Sequence, residues 1–123
     1  MAIIKTFTDL STWQEGHKLV IAIYKTTNDF PAEEKFGLTN QLRRAIVSVT
    51  SNIAEGFSRN TDKEKVQFYR MALGSLMEVK NQIIIARDLL YISNSRFSSI
   101  ESQILLVERL INGLIKSANK MQR

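Results

Sequence analysis

Cysteine is absent from this chain, which excludes disulfide staples, thiolate nucleophiles and sulfur-ligated zinc. Proline occurs once, at Pro31, and there are only 5 glycines. So few breakers permit long helices and argue against a many-turned β-sandwich. His17 is the only histidine, so metal sites built on several imidazoles are excluded and Ser-His catalysis has little to work with. The di-iron bundle pattern, which needs Glu-x-x-His on two helices, has no counterpart here. The most apolar stretches, LVIAIY and IIIA, fall far short of the roughly 18 residues that span a bilayer. MAIIKTFTDL carries one lysine and too short an apolar run for a signal peptide. These absences predict a cytoplasmic chain with no membrane span, metal or cofactor.

What is present fits one domain, residues 1–123, with a sizeable core. Apolar residues make up 44% and charged residues 24%, the balance of a folded globular protein. Seventeen basic residues against 12 acidic ones give a net charge of +5 and a pI near 9.7. That surplus speaks of partners: nucleic acid, an anionic membrane or an acidic protein. In a ring of copies it would multiply.

Four helical segments can be read from the spacing of apolar residues. Leu10, Trp13, His17, Val20, Ile21 and Tyr24 recur at threes and fours, predicting a helix from about Leu10 to Asn28, with Asp9 or Ser11 at its start. Phe30-Pro31 ends it. A second stripe runs through Leu42, Ala45, Ile46, Val49, Ile53 and Phe57, with Thr39 as cap and a break at Ser58 to Asn60. Thr61 and Glu64 then stand in capping-box spacing and open the longest segment, Asp62 to about Tyr91. Its stripe is Tyr69, Leu73, Leu76, Val79, Ile83, Ala86 and Leu90. Ser98 and Glu101 repeat the box before a heptad-like seam of Ile100, Ile104, Val107, Ile111, Leu114, Ala118 and Met121. Short connections predict an all-α, antiparallel up-down-up-down four-helix bundle. Leu19, Ile23, Ile84, Ile85, Leu105, Leu106 and Leu110 lie off these stripes and point to a second buried surface, most simply self-association.

The stretch SVTSNIAEGFSR, residues 48 to 59, sets Asn52, Glu55 and Gly56 beside an apolar stripe. Glu55 and Glu78 on neighbouring helices could share a proton or hold a hard cation. Buried polar groups usually find partners, so the favoured reading is a structural clasp of Asn52, Glu55, Ser75 and Glu78. Its partners would be Arg43, Arg44, Arg70 or main chain. His17, in the Trp13-His17-Ile21 row, reads as a core or interface histidine. Gly56 either allows close helix approach or ends its helix, and mid-helix Gly74 suggests tight packing.

Several motifs stand in a specific order: DL-x-x-W-Q at Asp9 to Gln14, FP-x-x-E-x-x-GL at Phe30 to Leu38, and QLRRA at Gln41 to Ala45. NIAEG at Asn52 to Gly56 and A-x-GSL-x-E at Ala72 to Glu78 complete the set. Over nearly its whole length the chain resembles the four-helix-bundle proteins encoded in intervening sequences of bacterial 23S ribosomal RNA genes. The resemblance implies a left-handed antiparallel bundle assembling as a ring-like homopentamer. It also implies kinship with the accessory variability determinants of diversity-generating retroelements, basic pentamers that bind nucleic acid and a reverse transcriptase. It brings no catalytic residue.

The expected function is therefore a non-enzymatic homo-oligomeric scaffold, a pentamer, whose basic surface contacts RNA or DNA. The candidate cations are Arg43, Arg44, Arg59, Lys63, Lys65, Arg70, Lys116, Lys120 and Arg123. Against this, the same residues could be solvated charges or partners of Glu15, Glu64 and Glu108. A protein-interaction adaptor using a surplus apolar helix face is the alternative. An enzyme or cation site at Glu55 and Glu78 ranks last.

Overall fold

The computed structural model describes residues 3–121, with side chains to residue 119. Its helices are α1 (Ser11–Thr27), α2 (Leu38–Ser58), α3 (Asp62–Asp88) and α4 (Asn94–Met121), and single 3-10 turns at Phe7–Asp9 and Ala32–Glu34 precede α1 and α2. Among the described residues there is no strand. The expected all-α fold is observed.

Cross-helix contacts fix the direction of each helix. Gly16 meets Thr50 while Arg43 reaches Thr27, so α1 and α2 run antiparallel. Gly56 against Tyr69, Ser48 against Ser75 and Gln41 against Gln82 give the same sense for α2 and α3. Arg87 lies over Phe97, near the tight turn between α3 and α4. Thr12 with Leu110 and Glu15 with Gln103 close α4 back onto α1. Each helix thus packs on two neighbours, α1 lying diagonally across from α3. The core between them includes Leu19, Ile23, Leu42, Ile46, Ile53, Leu76, Ile83, Ile104 and Ile111, all essentially inaccessible.

The α2 stripe is found as expected, with Phe57 half-buried, but the stripe assigned to α1 lies on the wrong face. Thr12, Gly16, Leu19, Ile23, Thr26 and Thr27 are buried, whereas His17, Ile21 and Tyr24 are exposed and Leu10, Trp13 and Val20 half-buried. Leu19 and Ile23, read as surplus, are core. The threonines of this stripe differ in partner: Thr27 Oγ1 donates to the Ile23 carbonyl at 2.8 Å and Thr12 Oγ1 to the Leu110 carbonyl of α4 at 3.5 Å, while Thr26 Oγ1 has none among the described residues. His17 is correspondingly not a core histidine; it stacks on Trp13 at 4.8 Å on the outer face. On α4, Ile115 is buried and Leu114 only half-buried, and the Met121 side chain lies outside the described residues.

Three helix starts also differ from expectation. Asp9 does not cap α1; its carboxylate turns back to accept from the Lys5 and Thr6 amides. Those two bonds, Thr6 first, hold its pKa below the ordinary value. Thr39 is buried inside α2, whose first amide, Leu38 N–H, donates instead to Glu34 Oε1 at 3.1 Å. Ser93, not Ser98, accepts an amide at the start of α4, from Arg96. Thr61 does serve α3, accepting from the Glu64 amide at 3.2 Å. α3 ends three residues before Tyr91, and Leu90 adopts a left-handed φ of 65° with its side chain fully in solvent. That conformation lets the Tyr91 amide reach the Ala86 carbonyl and close the helix.

Candidate nucleic-acid interface

The polar residues singled out in the sequence separate into two groups. Along the α2–α3 seam, the Ser48 and Ser75 hydroxyls share a hydrogen bond of 2.9 Å, and Asn52 Nδ2 donates to the Ser48 carbonyl and Oγ. Gln82 reaches Gln41 farther along the same seam. Glu55 does not join this group. It sits half in solvent and accepts from Arg59 one turn on, at 2.8 Å, a surface pair worth about 0.3–0.5 kcal/mol. Glu78 is exposed and makes no ion pair among the described residues. The expected four-residue clasp is thus a Ser48–Asn52–Ser75 cluster, and Ser48 was missed.

The two glutamates do not converge. Gly56 packs on Tyr69 and Ser48 on Ser75, so Glu78 lies opposite the start of α2 and Glu55 opposite the start of α3. About ten residues of helix, or roughly 15 Å, separate them. Among the described residues no cluster of three carboxylates or imidazoles could hold a metal ion.

The basic candidates divide by whether the fold already uses them. Arg43 is engaged: its guanidinium donates to Thr27 Oγ1 and Asn28 Oδ1 and lies 4.7 Å from the Tyr24 ring, tying α2 to the end of α1. Lys65 Nζ donates to the Phe57 and Gly56 carbonyls, satisfying the end of α2. Arg59 pairs with Glu55 and covers the Phe68 ring at 4.4 Å. Arg44, Lys63, Arg70 and Lys116 are exposed, with no ion pair or hydrogen bond among the described residues. Lys63 and Arg70 stand two turns apart on one face of α3, about 10 Å along its axis. Leu114, Ser117 and Ala118 of α4 line one groove with Lys65 and Tyr69, placing Lys116 at that same end of the bundle. The Lys120 side chain and Arg123 lie outside the described residues.

Residues 8–113 match the family model described as 23S rRNA-intervening sequence protein. The chain belongs to that family. A crystal structure of a protein of unknown function from the S23 ribosomal protein family of Bacteroides thetaiotaomicron, at 1.70 Å resolution, superposes with a TM-score of 0.76. It is 18% identical, and the match covers 85% of this chain and 98% of that one. At such identity the likeness is one of fold. A comparison with curated proteins gave no match. No described helix is long and apolar enough to cross a membrane.

The family motifs acquire physical roles in this fold. Glu34, the acid of FP-x-x-E-x-x-GL, caps α2 through one carboxylate oxygen and accepts the Tyr91 hydroxyl at 2.8 Å through the other. The Leu38 amide, then the Tyr91 hydroxyl, hold its pKa below the ordinary 4.5. The same hydrogen bond raises that of Tyr91. One side chain therefore joins the α1–α2 and α3–α4 connections, a role that needs the Tyr91 partner 57 residues away. No local spacing signals it.

Proposed function

We propose that this chain is a non-enzymatic, homo-oligomeric helical scaffold, a pentamer, whose basic end binds RNA. The observation that carries the reading is the unspent charge of Lys63, Arg70 and Lys116 at one end of the bundle, while neighbouring Arg59 and Lys65 are engaged within the fold. Such cations suit phosphate contacts, which are tolerant of sequence and weakened by salt. The chain's net charge of +5 would be repeated in every copy. Arg44, in the first third of α2, lies away from this end.

The test is titration of labelled single-stranded RNA and duplex DNA into protein of known oligomeric mass, at two salt concentrations. The expected result is salt-sensitive RNA binding, with Lys63→Glu plus Arg70→Glu lowering the log–log salt slope by about 0.7 for each lost contact. Absence of binding at low salt overturns the reading. A second reading, the protein-interaction adaptor, draws on exposed apolar side chains at Ile21, Tyr24, Val47, Met71, Met77 and Ile85. It would lead if nucleic acid failed to bind.

A further inference from the structure

Between α2 and α3, beside the Ser48–Ser75 contact, lies a cleft of about 290 Å³ lined by Gln41, Arg44, Ser48, Ser75, Glu78 and Gln82. Its volume sits at the small end of ligand sites, which run from roughly 300 to 1,000 Å³. Three features distinguish it from an ordinary wet groove.

Its wall holds an unmet hydrogen-bonding demand. Gln82 is 8% exposed, and its Oε1 is buried without a partner, while its Nε2 reaches only Gln41 Oε1 at 3.4 Å. Turning both amides over would leave Nε2 in place of Oε1 without a partner, so the demand is for one hydrogen-bonding group of either kind. Leaving a buried polar atom unpaired is costly, so this amide favours a partner that reaches it through the cleft. A donor is also left over. Ser48 and Ser75 share one hydroxyl proton between them, Asn52 supplies a further donor to Ser48, and the second hydroxyl proton of the pair is unused.

The cleft also carries opposite charges that do not meet. Arg44 and Glu78 both line it, yet no ion pair joins them among the described residues. Two unlike charges lining one space suit a ligand that carries both signs. Arg44 would receive a carboxylate, for which its planar fork is matched. Glu78 would receive an ammonium group. The Gln82 amide would meet a hydrogen-bonding group of the ligand's side chain.

We propose that this cleft binds a small zwitterion of the α-amino acid class, favouring side chains that carry a hydrogen-bonding group. The inference is independent of RNA binding, since Lys63, Arg70 and Lys116 take no part in it. Discrimination follows from Gln82: a ligand whose side chain cannot hydrogen-bond would leave its amide buried and unpaired, the circumstance in which polar sites reject analogues most strongly.

Saturation-transfer NMR with L-glutamine, L-asparagine and L-serine as probes, and L-leucine as control, tests the proposal on the full chain. Binding of at least one of the three, tighter than L-leucine, is expected. Arg44→Ala and Glu78→Gln should each weaken it by about tenfold or more, as loss of a charged hydrogen-bond partner does. Both side chains are exposed, so helicity by circular dichroism should be unchanged. Lys63→Glu should leave amino-acid binding intact, separating this site from the RNA reading. Failure of every probe at millimolar concentration overturns the proposal, as does binding that Arg44→Ala and Glu78→Gln leave unaltered. If no probe binds and Arg44→Ala shrinks the oligomer, the cleft belongs to a contact between copies and the proposal is also overturned.

Discussion

A Cβ added at Gly56 would lie 2.6 Å from Tyr69 Cε1 and 2.8 Å from its Cδ1, whereas one added at Gly74 would meet nothing within 4 Å. The first glycine lets the buried Tyr69 ring pack against the α2 backbone, so α2 and α3 approach closely there. The second answers no packing demand inside the chain, contrary to the tight packing its mid-helix place suggested. Gly56→Ala should therefore destabilise by about 1–3 kcal/mol through overpacking. Gly74→Ala should stabilise by about 1 kcal/mol through helix propensity. Urea denaturation of the two variants beside the parent checks both signs. Loss of stability at Gly74 together with a smaller assembly would show instead that the outer face of α3 is covered by another copy.

At the scale of helices, the decisive group is Glu34, which fixes the start of α2 and the α3–α4 connection at once. Its pKa is depressed, so its contribution is fully present above the ordinary value of 4.5 and fades as pH falls through the lower, folded value. Glu34→Gln keeps an acceptor but removes the titration. The parent should therefore lose more thermal stability than Glu34→Gln between about pH 6 and pH 3, as differential scanning calorimetry would read. Equal losses would mean that the Leu38 and Tyr91 contacts do not depend on the charge.

The same scale shows what the sequence could and could not reveal. The α2 stripe of aliphatic residues was legible because large apolar side chains mark a core directly. The α1 face was misread because small residues and threonines bury without an apolar signature, while Trp13, His17, Ile21 and Tyr24 offered a louder periodic pattern. Thr61 was legible as a cap because its partner is three residues away. Glu34 and Gln82 were not, because their partners lie 57 and 41 residues away. Of the candidate site, the types of cation were legible; which ones the fold consumes depended on tertiary neighbours such as Thr27 for Arg43.

For the whole molecule, two surfaces remain after the bundle is closed. One is the end carrying the exposed cations Lys63, Arg70 and Lys116, with Asp62 and Glu64 beside them. The other is the set of exposed apolar side chains on the outer faces of α1, α2 and α3, which includes Tyr24, Val47 and Met71. Burying such residues between copies would repeat the basic end around a ring, turning a modest monomer charge into a concentrated one. Assembly and RNA binding are thus linked in this account: a variant that breaks the ring should also lose affinity. Native mass spectrometry of the protein with and without a short single-stranded RNA tests that link most directly. The expected result is one oligomeric mass, a pentamer, that gains RNA as a whole and sheds it as salt rises. A monomer at micromolar concentration that takes up no RNA would contradict it.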